Sequence, residues 1–161
     1  IVEPEILMDG AHDINRCQEV TEEVLDVVYN ELYLQEVYLE GSILKPNMVI
    51  SGKKCATQAP ADEVAAKTVE TLKRCVPSAV PGIMFLSGGQ SEEDATVHLD
   101  LMNAMGDLPW GLSFSYGRAL QQSALQAWKG EAANNAAAQA AFIERAKANS
   151  QACAGTYSKA A

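Results

Sequence analysis

Residues 39–49 read LEGSILKPNMV, an apolar run with one lysine, Lys45, inside it. The run is typical of a buried strand, and we predict a β-strand over residues 37–50. Burial removes the hydration of an ammonium group and so favours the neutral amine, a nucleophile that can form a Schiff base with a carbonyl substrate. A lysine at a strand end whose ammonium reaches solvent fits the same stretch, so both interpretations stay open.

Two glutamates, Glu3 and Glu5, lie in a second predicted strand over residues 1–7. Residues two apart on a strand point to the same face. Two carboxylates on one buried face repel each other, which raises at least one pKa and suits acid–base catalysis. An edge strand with two solvated glutamates is the alternative, and the spacing alone favours it.

Two glycine-containing loops follow two further predicted strands, at residues 80–86 and 110–115. The Ser87–Gly89 loop allows close approach of a ligand to the backbone and leads into a helix N-terminus that favours an anion. The second loop ends in Arg118, whose guanidinium can bind a phosphate through paired hydrogen bonds. A plain turn and a surface arginine are the alternatives.

Helical periodicity fills the intervals between the strands. The predicted helices cover residues 14–36, 60–74, 91–104, 119–128 and 131–152. In the last of these, which is rich in alanine, we predict a buried stripe of Phe142, Ile143 and Ala146.

Strand followed by helix, four times over, predicts a parallel sheet with right-handed crossovers. Every candidate residue lies on or just after a strand, as active-site residues do in (β/α)8 barrels. Four units make half of such a barrel. The chain also begins with Ile1 in what reads as a core strand, so we expect the missing strands to precede it.

Charge and composition exclude several classes of function. The formal net charge is −9, which argues against nucleic-acid binding but not against a local pocket for a small anion. No apolar run reaches the length of a membrane span. The four cysteines form no Cys-x-x-Cys pair and predict scattered reduced thiols and no metal site; they are Cys17, Cys55, Cys75 and Cys153.

Five sequence blocks, in order and at family spacing, carry a resemblance that covers nearly the whole chain. They are IVEPEI at 1–6, YLEGSILKPNMV at 38–49, FLSGGQS at 85–91, the segment 110–120 with FSYGRAL, and RAKANS at 145–150. With these blocks the chain resembles class I fructose-bisphosphate aldolase, the metal-independent Schiff-base type.

The resemblance implies a (β/α)8 TIM barrel, of which residues 1–161 supply the last four βα units and a C-terminal helix. It implies reversible cleavage of fructose 1,6-bisphosphate to dihydroxyacetone phosphate and glyceraldehyde 3-phosphate, without a cofactor or metal. Lys45 then aligns with the Schiff-base lysine, Glu3 with the acid–base glutamate, and Glu5 with a glutamate that tunes the lysine.

The two glycine loops align with the sugar-phosphate site of the family. The implied binding residues are Ser87, Gly88 and Gly89 in the first loop, and Ser115, Tyr116, Gly117 and Arg118 in the second. The resemblance further implies a homotetramer, cytoskeletal partners, and a cytosolic location with an organelle such as a plastid left open.

Two departures from the family pattern leave an alternative. The early half, which supplies a catalytic aspartate and further lysines, is not in this sequence, and neither is the mobile tail with its terminal tyrosine. Tyr157 lies too early to replace that tyrosine. The alternative is an inactive aldolase fragment that acts as a binding or structural piece.

Overall fold

The computed structural model describes residues 1–158, in which five α-helices and a small parallel sheet share one hydrophobic core. The elements are α1 (Ile14–Leu34), α2 (Ala61–Cys75), β1 (Gly82–Phe85), α3 (Glu92–Ala104), β2 (Gly111–Phe114), α4 (Arg118–Trp128) and α5 (Asn135–Cys153). Short 3-10 turns cover Leu39–Gly41 and Ala132–Asn134.

The sheet follows chain order, and all its pairings are parallel. β1 pairs with β2 from Gly82 opposite Gly111 to Phe85 opposite Phe114. Two earlier segments join β1 through single bridges, Val2 with Leu44 and Leu44 with Ile83. Because parallel segments end at the same edge, the residues that follow each segment meet on one side of the fold.

The predicted strands over residues 1–7 and 37–50 are wrong for most of their length, since each pairs at one position only. Pro4 and Pro46 each lie two residues beyond a bridged position and have no N–H to donate, so regular pairing stops there; towards β1 only the Pro46 carbonyl still accepts, from Leu86 N at 3.0 Å. Residues 39–41 form a 3-10 turn instead of a strand.

The first four helices lie where the periodicity places them, within two residues at each end. Local caps explain the agreement for α1 and α3: the carboxylate of Asp13 accepts from Arg16 N at 2.9 Å, and the hydroxyl of Ser91 accepts from Asp94 N at 3.0 Å. In the described residues no helix has the length and apolar character that a membrane span requires.

The predicted buried stripe of α5 is wrong. Phe142 is 39% exposed and Ile143 is 52% exposed, whereas the helix buries Arg145, Asn149 and Ala152. Alanines occur on every side of α5, so apolar residues do not define one face of the helix. The polar residues determine which face packs against the rest of the protein.

Those polar residues pack against α3 through hydrogen bonds. Arg145 Nη2 donates to Thr96 Oγ1 at 2.5 Å and to Glu92 O at 2.6 Å. The Thr96 hydroxyl in turn donates to Asn149 Oδ1 at 2.9 Å. Buried polar groups require such partners, so α5 is attached to the first turns of α3 by specific contacts.

Candidate functional site

Lys45 and Glu3 form an ion pair directly beyond the first bridge of the sheet. Val2 pairs with Leu44, so the residue after each of them projects to the same side. Lys45 Nζ lies 2.7 Å from Glu3 Oε1, and the two side chains are 22% and 49% exposed. The pair therefore places an amine within proton-transfer distance of a carboxylate at the open edge of the sheet.

Asn47 fixes the segment that carries Glu5. Its side chain is buried, accepts from Ile6 N at 3.0 Å, and donates to Met48 O at 3.1 Å. The backbone beside Glu5 is thus attached to the segment beyond Lys45. This role was not predicted from the sequence, although an asparagine inside an apolar run is itself a sign of a hydrogen-bonding requirement.

Glu5 lies against the first glycine loop. Its Oε1 is 3.3 Å from the position that a Cβ on Gly88 would occupy. The structure thus pairs Glu3 with Lys45, and it brings Glu5 against the Ser87–Gly89 loop, which lies far away in the sequence.

Gly89 is required by the geometry of this loop. Its φ is +82°, and a Cβ there would lie 2.8 Å from Met8 Cβ. Gln90 N donates to Ser87 O at 3.2 Å and closes the turn. The loop consequently folds onto Met8 with no room for a side chain at position 89.

Alanine at position 89 is expected to destabilise the protein by about 2–4 kcal/mol, from left-handed backbone strain together with overpacking. Gly117 provides the matched control. It has a φ of −85°, and no atom lies within 4 Å of the position that its Cβ would occupy, so Gly117→Ala is expected to change stability by less than about 0.5 kcal/mol. Urea unfolding of both variants tests the difference, and equal losses would contradict it.

The second loop begins beside the end of β1 and opens into α4. Ser115 N donates to Phe85 O at 2.8 Å, which continues the parallel pairing. Ser115, Gly117 and Arg118 are all exposed, and Gly117 precedes α4 without a side-chain cap. The first N–H groups of α4 are therefore available to an anion beside Arg118.

Arg118 also contributes to a positive potential around Asp9. Lys53 Nζ donates to Asp9 Oδ1 at 3.0 Å and is the main cause that lowers the pKa of this carboxyl, with smaller contributions from Lys54 and Arg118.

Among the predicted site residues, Tyr116 has a buried side chain. It is 5% exposed, and its hydroxyl donates to Ala95 O at 2.9 Å. Burial raises the pKa of the phenol far above its usual value. We therefore expect Tyr116 to contact a ligand through its main-chain groups and not through its phenol.

Comparison with known proteins gives a consistent result. A family model described as "Glycolytic: Fructose-bisphosphate aldolase class-I" matches residues 1–161. The chain is 59% identical over 157 residues to fructose-bisphosphate aldolase 1 of Toxoplasma gondii and 58% identical over 158 residues to fructose-bisphosphate aldolase B of Gallus gallus. In both comparisons the match covers 98% of this chain and 43% of the relative.

A solved structure shows the same similarity in three dimensions. It is a fructose-bisphosphate aldolase from Plasmodium falciparum in complex with TRAP and a small-molecule inhibitor. The chain superposes on it with a TM-score of 0.94 at 50% sequence identity, over 98% of this chain and 45% of that one. The chain thus spans less than half the length of the relatives that it matches.

Proposed function

Because this chain belongs to the class-I fructose-bisphosphate aldolase family, with part of that family's TIM-barrel fold, we propose that it serves the reversible cleavage of fructose 1,6-bisphosphate. The products are dihydroxyacetone phosphate and glyceraldehyde 3-phosphate. The observation that carries the proposal is the contact of Lys45 Nζ with Glu3 Oε1 at 2.7 Å.

Lys45 is the nucleophile in this proposal. Its neutral amine attacks the C2 carbonyl of the ketose, and the resulting carbinolamine loses water to give an iminium ion. Glu3, as base, takes the proton of the C4 hydroxyl while the electron pair of the C3–C4 bond moves into the iminium, which releases the aldehyde and leaves an enamine. Protonation of the enamine at C3 and hydrolysis of the resulting iminium free dihydroxyacetone phosphate and restore the amine.

Glu3 is the group that moves protons at Nζ. A carboxylate at hydrogen-bond distance can take a proton from the attacking amine and return one to the departing hydroxyl. Glu5 precedes Ile6, whose N–H donates to Asn47, and its carboxylate lies against Gly88. We propose that it tunes the lysine rather than reacting itself.

The two loops hold the phosphate groups of the substrate. Ser87, Gly88 and Gly89 offer hydroxyl and main-chain groups, and Ser115, Gly117 and Arg118 offer a further hydroxyl, free helix N–H groups and a guanidinium. The main chain of Tyr116 completes the second loop. These are the donor types that bind phosphate elsewhere.

The part of the barrel that this chain forms, and the oligomeric state, location and partners of the protein, are proposed on the same basis. We infer that residues 1–161 are the C-terminal half of the barrel, its last four βα units with a C-terminal helix. We also infer a cytosolic homotetramer able to bind cytoskeletal partners, without a cofactor. That an aldolase binds more than its substrate is supported by the Plasmodium relative in complex with TRAP. The alternative, an inactive piece with a structural role, is supported only by the coverage of 43%.

Covalent trapping tests the proposed reaction. Borohydride added together with dihydroxyacetone phosphate to the protein that contains this chain is expected to reduce the iminium to a stable secondary amine on Lys45. Peptide mass spectrometry locates the adduct, and prior treatment with EDTA is expected to leave cleavage of the bisphosphate intact. Labelling at another residue, or loss of activity with EDTA, would contradict the Schiff-base mechanism.

A further inference from the structure

Helices α3 and α4 begin at the two proposed phosphate loops. α3 begins at Glu92, shortly after Gly89, and α4 begins at Arg118. A substrate that is held by both loops depends on the distance between these two helix starts, because misplacement by a fraction of a bond length already weakens charge-assisted hydrogen bonds.

Glu92 joins the two helices through its carboxylate. Ser123 N donates to Glu92 Oε1 at 2.8 Å, and the Ser123 hydroxyl bonds to Glu92 Oε2. The main-chain carbonyl of Glu92 accepts from Arg145 Nη2 at 2.6 Å. The first turn of α3 is therefore held by α4 through the side chain of Glu92 and by α5 through its backbone.

Tyr116 makes a second connection beneath the surface. It lies in the second loop, and its buried hydroxyl donates to Ala95 O, one turn along α3 from Glu92. The Glu92–Ser123 contact thus connects α4 to the first turn of α3, and the buried Tyr116–Ala95 contact connects the second loop to the same part of α3.

We propose that Glu92 is a positioning residue that sets the spacing between the Ser87–Gly89 loop and Arg118, and that Tyr116 supports the same spacing. The inference rests on the proposed function, since it takes the two loops to bind the phosphate groups of the substrate. Glu92 itself does not touch the substrate. It acts through Ser123 on the helix that carries Arg118.

The test compares substrates with and without a phosphate group. In the protein that contains this chain, Glu92→Ala is expected to raise KM for fructose 1,6-bisphosphate about 3- to 10-fold, with little change in kcat. Borohydride trapping of Lys45 by subsaturating dihydroxyacetone phosphate is expected to slow by a similar factor. Trapping by dihydroxyacetone, which has no phosphate, is expected to stay at the rate of the unmodified protein. A general loss of structure would slow both reactions.

Rescue by a conservative variant separates geometry from charge. In Glu92→Gln the amide oxygen still accepts from Ser123 N and the amide nitrogen can donate to the hydroxyl, so KM is expected to stay near that of the unmodified protein.

Glu63→Ala is the matched control, because Glu63 lies in the first turn of α2 just as Glu92 lies in the first turn of α3. It removes an equal charge from a helix N-terminus and is expected to leave KM unchanged.

Two further variants serve as an alternative to Glu92→Ala and as a positive control. Tyr116→Phe preserves the buried ring and removes only the bond to Ala95, so it gives the same comparison if Glu92→Ala fails to fold. Arg118→Ala is the positive control, with an expected KM increase of roughly 10- to 100-fold from the loss of a charge-assisted bond.

If Arg118→Ala weakens binding while Glu92→Ala and Tyr116→Phe leave the two trapping rates in their original ratio, the positioning role is wrong and the proposed function stands. If Arg118→Ala also has no effect, the second loop does not bind phosphate and the positioning role falls with that assignment, whereas the Schiff-base function is decided separately by the adduct on Lys45.

Discussion

Replacing Lys45 with methionine is expected to slow cleavage of the bisphosphate by roughly 10⁵-fold or more, the scale of loss when a covalent nucleophile is removed. Methionine is unbranched and fills similar space, so the substitution removes the amine without opening a cavity. It also leaves Glu3 without the cation that lies 2.7 Å from its carboxylate. Steady-state cleavage rates at saturating substrate measure the effect.

The matched control for this substitution is Lys67→Met. Lys67 Nζ donates to Gln18 Oε1 at 2.9 Å between α2 and α1, so the control also loses a charge and a side-chain contact. Its activity is expected to stay within about twofold of the unmodified protein, since surface changes away from a site have small effects. Retention of substantial activity by Lys45→Met would refute the nucleophile assignment.

Residues 1–161 expressed alone are expected to have no aldolase activity and to self-associate. The segment at Val2 is paired on one side only within the described sheet, and such an edge invites pairing with another chain. Large apolar side chains are also exposed in two groups. They are Tyr33, Leu34, Val37 and Tyr38 at and just after the C-terminal end of α1, and Leu125, Trp128, Phe142 and Ile143 on α4 and α5.

Sedimentation of the isolated chain, with activity measured before and after addition of the N-terminal half of a related aldolase, tests this prediction. We expect dimers or aggregates, with activity returning only in the mixture. A compact, soluble monomer with cooperative melting would show instead that these helices and the small sheet close a core unaided. The half-barrel assignment would then have to be abandoned.

Helix positions were predictable because their signals are local. Asp13 and Ser91 cap the helices that follow them, and the apolar spacing of α1 and α2 repeats within a few residues. The strands were overpredicted because an apolar run indicates burial and not ladder pairing. Leu44, Met48 and Val49 are all 1% exposed, although only Leu44 forms a bridge.

The roles of the site residues came from the resemblance, and their contacts came from the fold. Residue types alone left Lys45 and Glu3 undecided, because the pair forms only when Val2 and Leu44 come together across the sheet. The bond between Ser123 and Glu92 joins residues 31 apart on different helices. No local sequence pattern encodes such a contact, so it was not predictable from the sequence.

The polar packing of α5 also fixes where this helix lies along its own axis. An alanine surface offers nearly equivalent contacts after a slip of one turn, about 5.4 Å. Arg145 and Asn149 find Thr96 at one axial position only, and a slip would leave each buried polar group unpaired, at a cost of about 1–3 kcal/mol apiece. Insertions or deletions between α4 and α5 must therefore be absorbed by residues 129–134, where Lys129 and Gly130 already adopt positive φ angles, and not by displacement of the helix.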